Sequence, residues 1–284
     1  MWKKEIVETA NGEFELFING SGPPLCVTHL YSEFNERGNY FADAFIPHFT
    51  VYLINLRGAG GSVAVANHHE YSMSQSVQDL EAIRQALKLD TWSFAGHSTG
   101  AMIGLTYAVE APNNLEKLVI SAGAASYEYM QHPDCIYSKK NARNARLLEL
   151  LSIIKSADSS LDERRAADRE WMEMSLYRPE NYDAYFSKSS SGKVVPARLD
   201  YFSYEELPSF NLFNQLPEVE KPILICCGKH DTQCPVDCSI HIHQALPKSE
   251  LIIFKESNHS PFLEEPAAFS KMTERFKFLD SSHT

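Results

Sequence analysis

The chain has 284 residues, 44% of them apolar, which permits one large domain or one domain carrying an insertion around a sizeable core. A formal net charge of −11 opposes nucleic acid or anionic lipid as the main partner, because long-range repulsion works against both. Mean hydropathy is −0.29, and no apolar run is long enough to cross a bilayer.

Met1-Trp2-Lys3-Lys4-Glu5 leads into a mixed polar stretch with no apolar signal core, so the expected location is the cytoplasm. In that compartment the six cysteines are expected as reduced thiols. Cys234, Cys238, His241 and His243 are zinc-ligand types. Their spacing is not that of a closed tetrahedral site, and they fall on the first turns of a helix after Pro235. A structural role is expected for them, with no metal.

In chain order, residues 4–9 and 14–18 read as two strands joined at Asn11-Gly12, a hairpin signal. After a Gly/Pro loop, Leu25-Cys26-Val27 and Val51-Tyr52-Leu53-Ile54 read as short buried strands. The spacing of Val77, Leu80, Ile83, Ala86 and Leu87 predicts one helix face over 74–87. A strand over 91–95, a helix over 99–110 and a strand over 115–121 follow. Strand–helix–strand order of this kind builds a parallel sheet covered on both faces.

The pattern breaks over 122–216, which is polar, aromatic and helix-rich, with no clear strand. Helices are predicted at 147–154 and 162–176, and the serine-rich stretch 187–193 reads as a flexible loop. Strand–helix alternation resumes with strands at 222–227 and 251–254 and helices at 236–246 and 267–279. The expectation is a discontinuous α/β core, residues 1–121 and 217–284, carrying a helical cap, residues 122–216. The cap's aromatics are expected to divide between its own small core and an apolar pocket.

Gly96-His97-Ser98-Thr99-Gly100 is a G-x-S-x-G element between a predicted strand and a predicted helix. So tight a turn strains its central residue and leaves no room for side chains two positions either side. It lifts the serine hydroxyl above the sheet edge, over the free N–H groups of a helix start. Gly104, one turn on, would let that helix pack closely on the sheet.

Serine needs a base near neutral pH, and position must choose among eleven histidines. His97 adjoins the serine, so its side chain is expected to point elsewhere. His68 and His69 lie in a polar loop, His241 and His243 on a probable helix, and His230 beside a candidate acid. His259 follows the last apolar strand, in a loop at a parallel strand's carboxyl end, where such sheets place their chemistry. Asp231 follows the strand before it. Asp237 rivals it but begins a helix, which suits a capping role. No acid directly follows the strand ending at Ser121. Ser98, Asp231 and His259 thus occur in the chain order of one known catalytic constellation, each after its own strand.

With these elements the chain resembles the α/β-hydrolase family over nearly its whole length outside the cap. Leu56-Arg57-Gly58-Ala59-Gly60-Gly61-Ser62 looks like the family's turn after its fourth strand. His259-Ser260-Pro261-Phe262-Leu263-Glu264-Glu265-Pro266 looks like its loop and helix start after the histidine. The layout is similar to the capped branch that includes proline iminopeptidases and small-ester hydrolases. The resemblance implies a mostly parallel sheet with helices on both faces and an oxyanion hole of two backbone N–H groups. One is that of Thr99; the other is that of Tyr31, with Leu30 as the alternative. The family often carries His-Gly after its third strand, and iminopeptidases carry His-Gly-Gly-Pro-Gly. This chain has His29-Leu30-Tyr31-Ser32. A serine at the elbow also separates it from relatives that use aspartate there.

The activity so implied is acyl transfer through Ser98, His259 and Asp231, on an ester, thioester or amide of a small, apolar acyl substrate, with no cofactor. An iminopeptidase would need a cap carboxylate to hold the substrate's amine, from among Glu128, Glu173, Glu205 and Glu206. A small-molecule receptor on the same scaffold is the alternative of another class.

Overall fold

A computed structural model of the chain describes residues 1–156 and 158–279. Eight strands form the main sheet: β1 Lys3–Thr9, β2 Gly12–Gly20, β3 Pro24–Val27, β4 Thr50–Ile54, β5 Trp92–His97, β6 Leu115–Ser121, β7 Ile223–Gly228 and β8 Ser249–Phe254. Their spatial order is β1-β2-β4-β3-β5-β6-β7-β8. The pairs β1·β2 and β2·β4 are antiparallel, and every pairing from β4 to β8 is parallel. The hairpin register sets Thr9 opposite Gly12, so the loop is Ala10–Asn11, one residue earlier than the Asn-Gly pair suggests.

Side-chain parity divides the central strands between two cores. Cys26, Ile54, Phe94, Ile120 and Ile225 face one, where helices α1 (Met73–Ala86), α2 (Thr99–Glu110) and α6 (Val236–Ala245) pack. Leu25, Val51, Ala95, Val119 and Leu224 face the other, against Phe41, Phe45 and helix α7 (Pro266–Lys277). Burial on both faces is why these strands read as continuous apolar runs. On α1, Val77, Leu80 and Ile83 are buried as their spacing requires, whereas Ala86, at the helix end, is exposed.

No residue of 122–216 joins the main sheet among the described residues. This segment holds helices α3 (Asn144–Lys155), α4 (Leu161–Glu173) and α5 (Pro196–Tyr201). Ser160 and Glu163 close a capping box at the start of α4. Two expectations are corrected here. Lys193–Val194 forms a two-residue antiparallel ladder with Ser32–Glu33, where no strand is predicted. The serine-rich stretch before it is pinned to the loop at 35–40: Ser191 N–H donates to Gly38 O (2.9 Å), and Ser190 Oγ accepts from Tyr40 N–H (3.2 Å). Serines that suggest flexibility in sequence here satisfy a neighbouring loop's backbone.

Candidate active site

Ser98 joins β5 to α2 with φ 56° and ψ −121°, a strained conformation for a residue with a side chain. Its N–H donates to Ser121 O at the end of β6 (2.9 Å), while its own carbonyl accepts from Ala101 N–H (3.0 Å). The flanking glycines are steric necessities. A Cβ on Gly96 would lie 2.2 Å from Gly100 O, and one on Gly100 would lie 2.4 Å from Thr28 O.

Asp231 lies in the loop after β7, with its side chain fully buried. Oδ1 accepts from Gln233 N–H (2.8 Å) and Cys234 N–H (2.9 Å), which fixes the carboxylate before any partner arrives. His259 Nδ1 lies 3.0 Å from both carboxylate oxygens. A carboxylate only accepts, so Nδ1 carries the proton and Nε2 is left as the basic nitrogen. The rival Asp237 instead holds His132 Nε2 (3.1 Å) with a half-exposed side chain.

The loops carrying acid and base are laced together. Asn258 Oδ1 accepts from Thr232 N–H (2.9 Å), and Asn258 N–H donates to Glu264 (2.7 Å). The helical segment joins both loops: His259 N–H donates to Ser175 O (3.3 Å), and Thr232 Oγ1 donates to Met174 O (2.9 Å). Among the described residues the His259 ring's hydrogen bonds all go to Asp231, and Ser98 Oγ is not one of its partners. In ligand-free sites that contact is often long and tightens with substrate bound.

Two further histidines stand here that sequence reading did not single out or placed wrongly. The His97 ring, expected to point elsewhere, lies 4.6 Å from the His259 ring and 5.0 Å from Phe262. His29 bridges the loop after β3 to the start of α2: Nδ1 shares a hydrogen bond with Ser32 Oγ (2.9 Å), Nε2 one with Thr99 Oγ1 (3.1 Å). Burial, with help from the nearby His259, pushes His29 down to about 3 and His97 well below the usual histidine range. Both are therefore neutral near pH 7. Tyr31 packs edge-on against His29 at 4.6 Å, and burial raises its phenol to about 12. A cavity of about 80 Å³ lies beside His97, bounded by Thr28, His29, Ser32, Asn39 and Phe41.

The four candidate amine-binding carboxylates differ in their surroundings. Glu173 pairs with Arg169 (2.8 Å), and Glu205 is exposed. Glu128 borders an outer groove with His132 and Asp237, and Glu206 accepts from Met73 N–H at the start of α1 (2.7 Å). Cys234 is buried, and His243 shares a hydrogen bond with Ser249 Oγ (2.8 Å). Among the described residues no group of three or more His, Cys, Asp or Glu is arranged to hold a metal ion, and no helix is long and apolar enough to cross a membrane.

Comparison with known proteins agrees with this architecture. An alpha/beta fold family hydrolase from Bacillus anthracis str. Sterne superposes with a TM-score of 0.95 at 44% identity, over 97% of this chain and 99% of that one. A proline iminopeptidase from Heyndrickxia coagulans is 23% identical over 95% of this chain and 96% of its own length. A pimeloyl-[acyl-carrier protein] methyl ester esterase from Vibrio vulnificus is 24% identical over 88% of this chain and 92% of its own. Residues 28–266 match the family described by the alpha/beta hydrolase fold, and the chain belongs to that family.

Proposed function

We propose that the protein is a serine hydrolase that cleaves an ester, thioester or amide of a small acyl substrate through an acyl-enzyme. The observation that carries this reading is the buried Asp231–His259 pair, with Nδ1 3.0 Å from both carboxylate oxygens, at the same sheet edge as the strained Ser98 turn. In this reading Ser98 Oγ attacks the carbonyl carbon as its proton passes to His259 Nε2. Asp231 holds the ring in that tautomer and stabilises the imidazolium. The N–H groups of Thr99 and Tyr31 receive the oxyanion, each contributing a few kcal/mol to the transition state. The intermediate collapses as the leaving group takes the proton from His259. Water then repeats the sequence, releasing the acid and restoring Ser98. Residues 122–216 act as a cap over the site, and the partner is a small molecule.

The test is Ser98→Ala, assayed on short acyl esters and with a fluorophosphonate probe. Turnover is expected to fall at least about 10³-fold and labelling to vanish. Undiminished labelling or turnover would remove Ser98 from the mechanism. Stoichiometric ligand binding by the wild type without burst or turnover would favour a receptor instead.

The second reading, an aminopeptidase of the iminopeptidase type, is favoured by the relative of that name, which matches nearly end to end. Against it stands the loop His29-Leu30-Tyr31-Ser32. Turnover of a prolyl amide compared with an acyl ester of similar size separates the two.

A further inference from the structure

The loop after β3 lacks the glycine that relatives often carry, and it is held from outside by residues 193–198. Ser32 and Glu33 pair with Val194 and Lys193. Val195 N–H donates to Tyr31 O (2.8 Å). Arg198 reaches deeper: Nε donates to Leu30 O, Nη1 to Arg57 O (2.7 Å), and Nη2 to Ser76 Oγ (2.8 Å) and Tyr71 O (3.4 Å).

Arg198 is only 1% exposed, and among the described residues it hydrogen-bonds to carbonyls and a hydroxyl, with no carboxylate partner. Burial lowers its pKa to about 10, so it remains a cation near neutral pH. Asp79 and Glu206 are the negative charges near it, and neither hydrogen-bonds to the guanidinium. Burying a cation is costly even so, and a hydrophobic side chain would fill the same space more cheaply. Its placement therefore calls for an account.

The peptide unit it grips supplies one. The Leu30–Tyr31 bond is trans and planar, so the Leu30 carbonyl and the Tyr31 N–H point in opposite directions. Holding Leu30 O on the guanidinium aims Tyr31 N–H away from Arg198. On its other side this loop abuts the start of α2, through His29 on Thr99 (3.1 Å) and Thr28 O beside Gly100. A charged donor on the carbonyl also polarises the amide and strengthens its N–H as a donor.

We propose that Arg198 is a positioning residue of the oxyanion hole: through the Leu30 carbonyl it sets the direction of the Tyr31 N–H. The proposal rests on the serine-hydrolase reading and on Tyr31 as a donor.

The test measures steady-state kinetics of Arg198→Lys on a short acyl ester, with kcat normalised to active sites counted by the burst. Lysine keeps the charge but cannot span Leu30, Arg57 and Ser76 together. The expected result is a normalised kcat about 10- to 100-fold lower, below the loss for deleting a donor outright, with KM changed less than about threefold. Fluorophosphonate labelling should slow in parallel. A purely structural role would lower the melting temperature and the active fraction while leaving normalised kcat at the wild-type value, and that result overturns the proposal. If Arg198→Lys does not fold, Arg198→Met decides the matter. It fills the same space without a buried charge and removes the donor to Leu30 O. A matching fall in normalised kcat supports the clamp, and an unchanged value overturns it. Ser98→Ala keeps the two ideas apart. Turnover surviving in that variant sinks the hydrolase reading and the clamp with it. An inactive Ser98→Ala beside a wild-type Arg198→Lys sinks the clamp alone.

Discussion

Asp231 shows how much one side chain is asked to do. Two backbone N–H groups hold its carboxylate, and both its oxygens face His259 Nδ1. Asparagine would keep the shape but could turn an amide N–H toward Nδ1, favouring the tautomer that leaves Nε2 protonated. Asp231→Asn is therefore expected to lower kcat about 10³- to 10⁴-fold while costing less than about 2 kcal/mol of stability, read by single-turnover acylation and thermal unfolding. A kcat within tenfold of wild type would place the acid elsewhere. Chain order and strand ends already separated Asp231 from Asp237 in sequence; the structure adds that Asp237 is engaged by His132. His29 and His97 carried no such signal. Their partners, Thr99 and His259, lie 70 and more residues along the chain.

Among the elements, strands and helices were legible wherever a repeat ran for several residues. β6 spans Leu115–Ser121 as its apolar run indicates, and α3 and α4 lie within a few residues of their predicted ends. The Lys193–Val194 ladder was not legible, since two residues carry no periodicity. The turn after β4 is tied to α1 by Arg57, whose Nε and Nη2 grip Asp79 Oδ2 (2.9 Å) and Oδ1 (2.8 Å). Both residues are buried. Asp79→Ala leaves a buried guanidinium with only Glu70 opposite and is expected to cost about 3–5 kcal/mol in urea unfolding. A loss under about 1 kcal/mol would mean that water or Glu70 takes over. Because Arg57 O also accepts from Arg198, this variant should slow turnover as well.

Across the molecule, the two neutral histidines link the site to acid stability. The folded pKa of His29 is about 3 against an ordinary 6.5, so the unfolded chain takes up the proton first as pH falls. The stability that its neutral form contributes is complete above about pH 6.5 and is lost on the way down to about pH 3, at up to about 1.4 kcal/mol per pH unit. His97 is shifted in the same direction. His29→Gln, which can still reach a hydroxyl, should flatten the fall of unfolding free energy between about pH 6 and 4, measured by urea titration across pH. An unchanged slope would show that His29 protonates without cost in the folded state.

The sequence by itself determined the fold class, the elbow at Ser98 and the order in which serine, aspartate and histidine follow their strands. These rest on short-range physics: the two-residue period of a strand, the 3.6-residue period of a helix, and the crowding that makes Gly96 and Gly100 obligatory. The tertiary structure alone decided that His29 and His97 surround the elbow in neutral form, and that Arg198 reaches across to the Leu30 carbonyl, 168 residues away along the chain. Each of those depends on which distant groups share a desolvated space, and burial, unlike periodicity, leaves no local pattern to read.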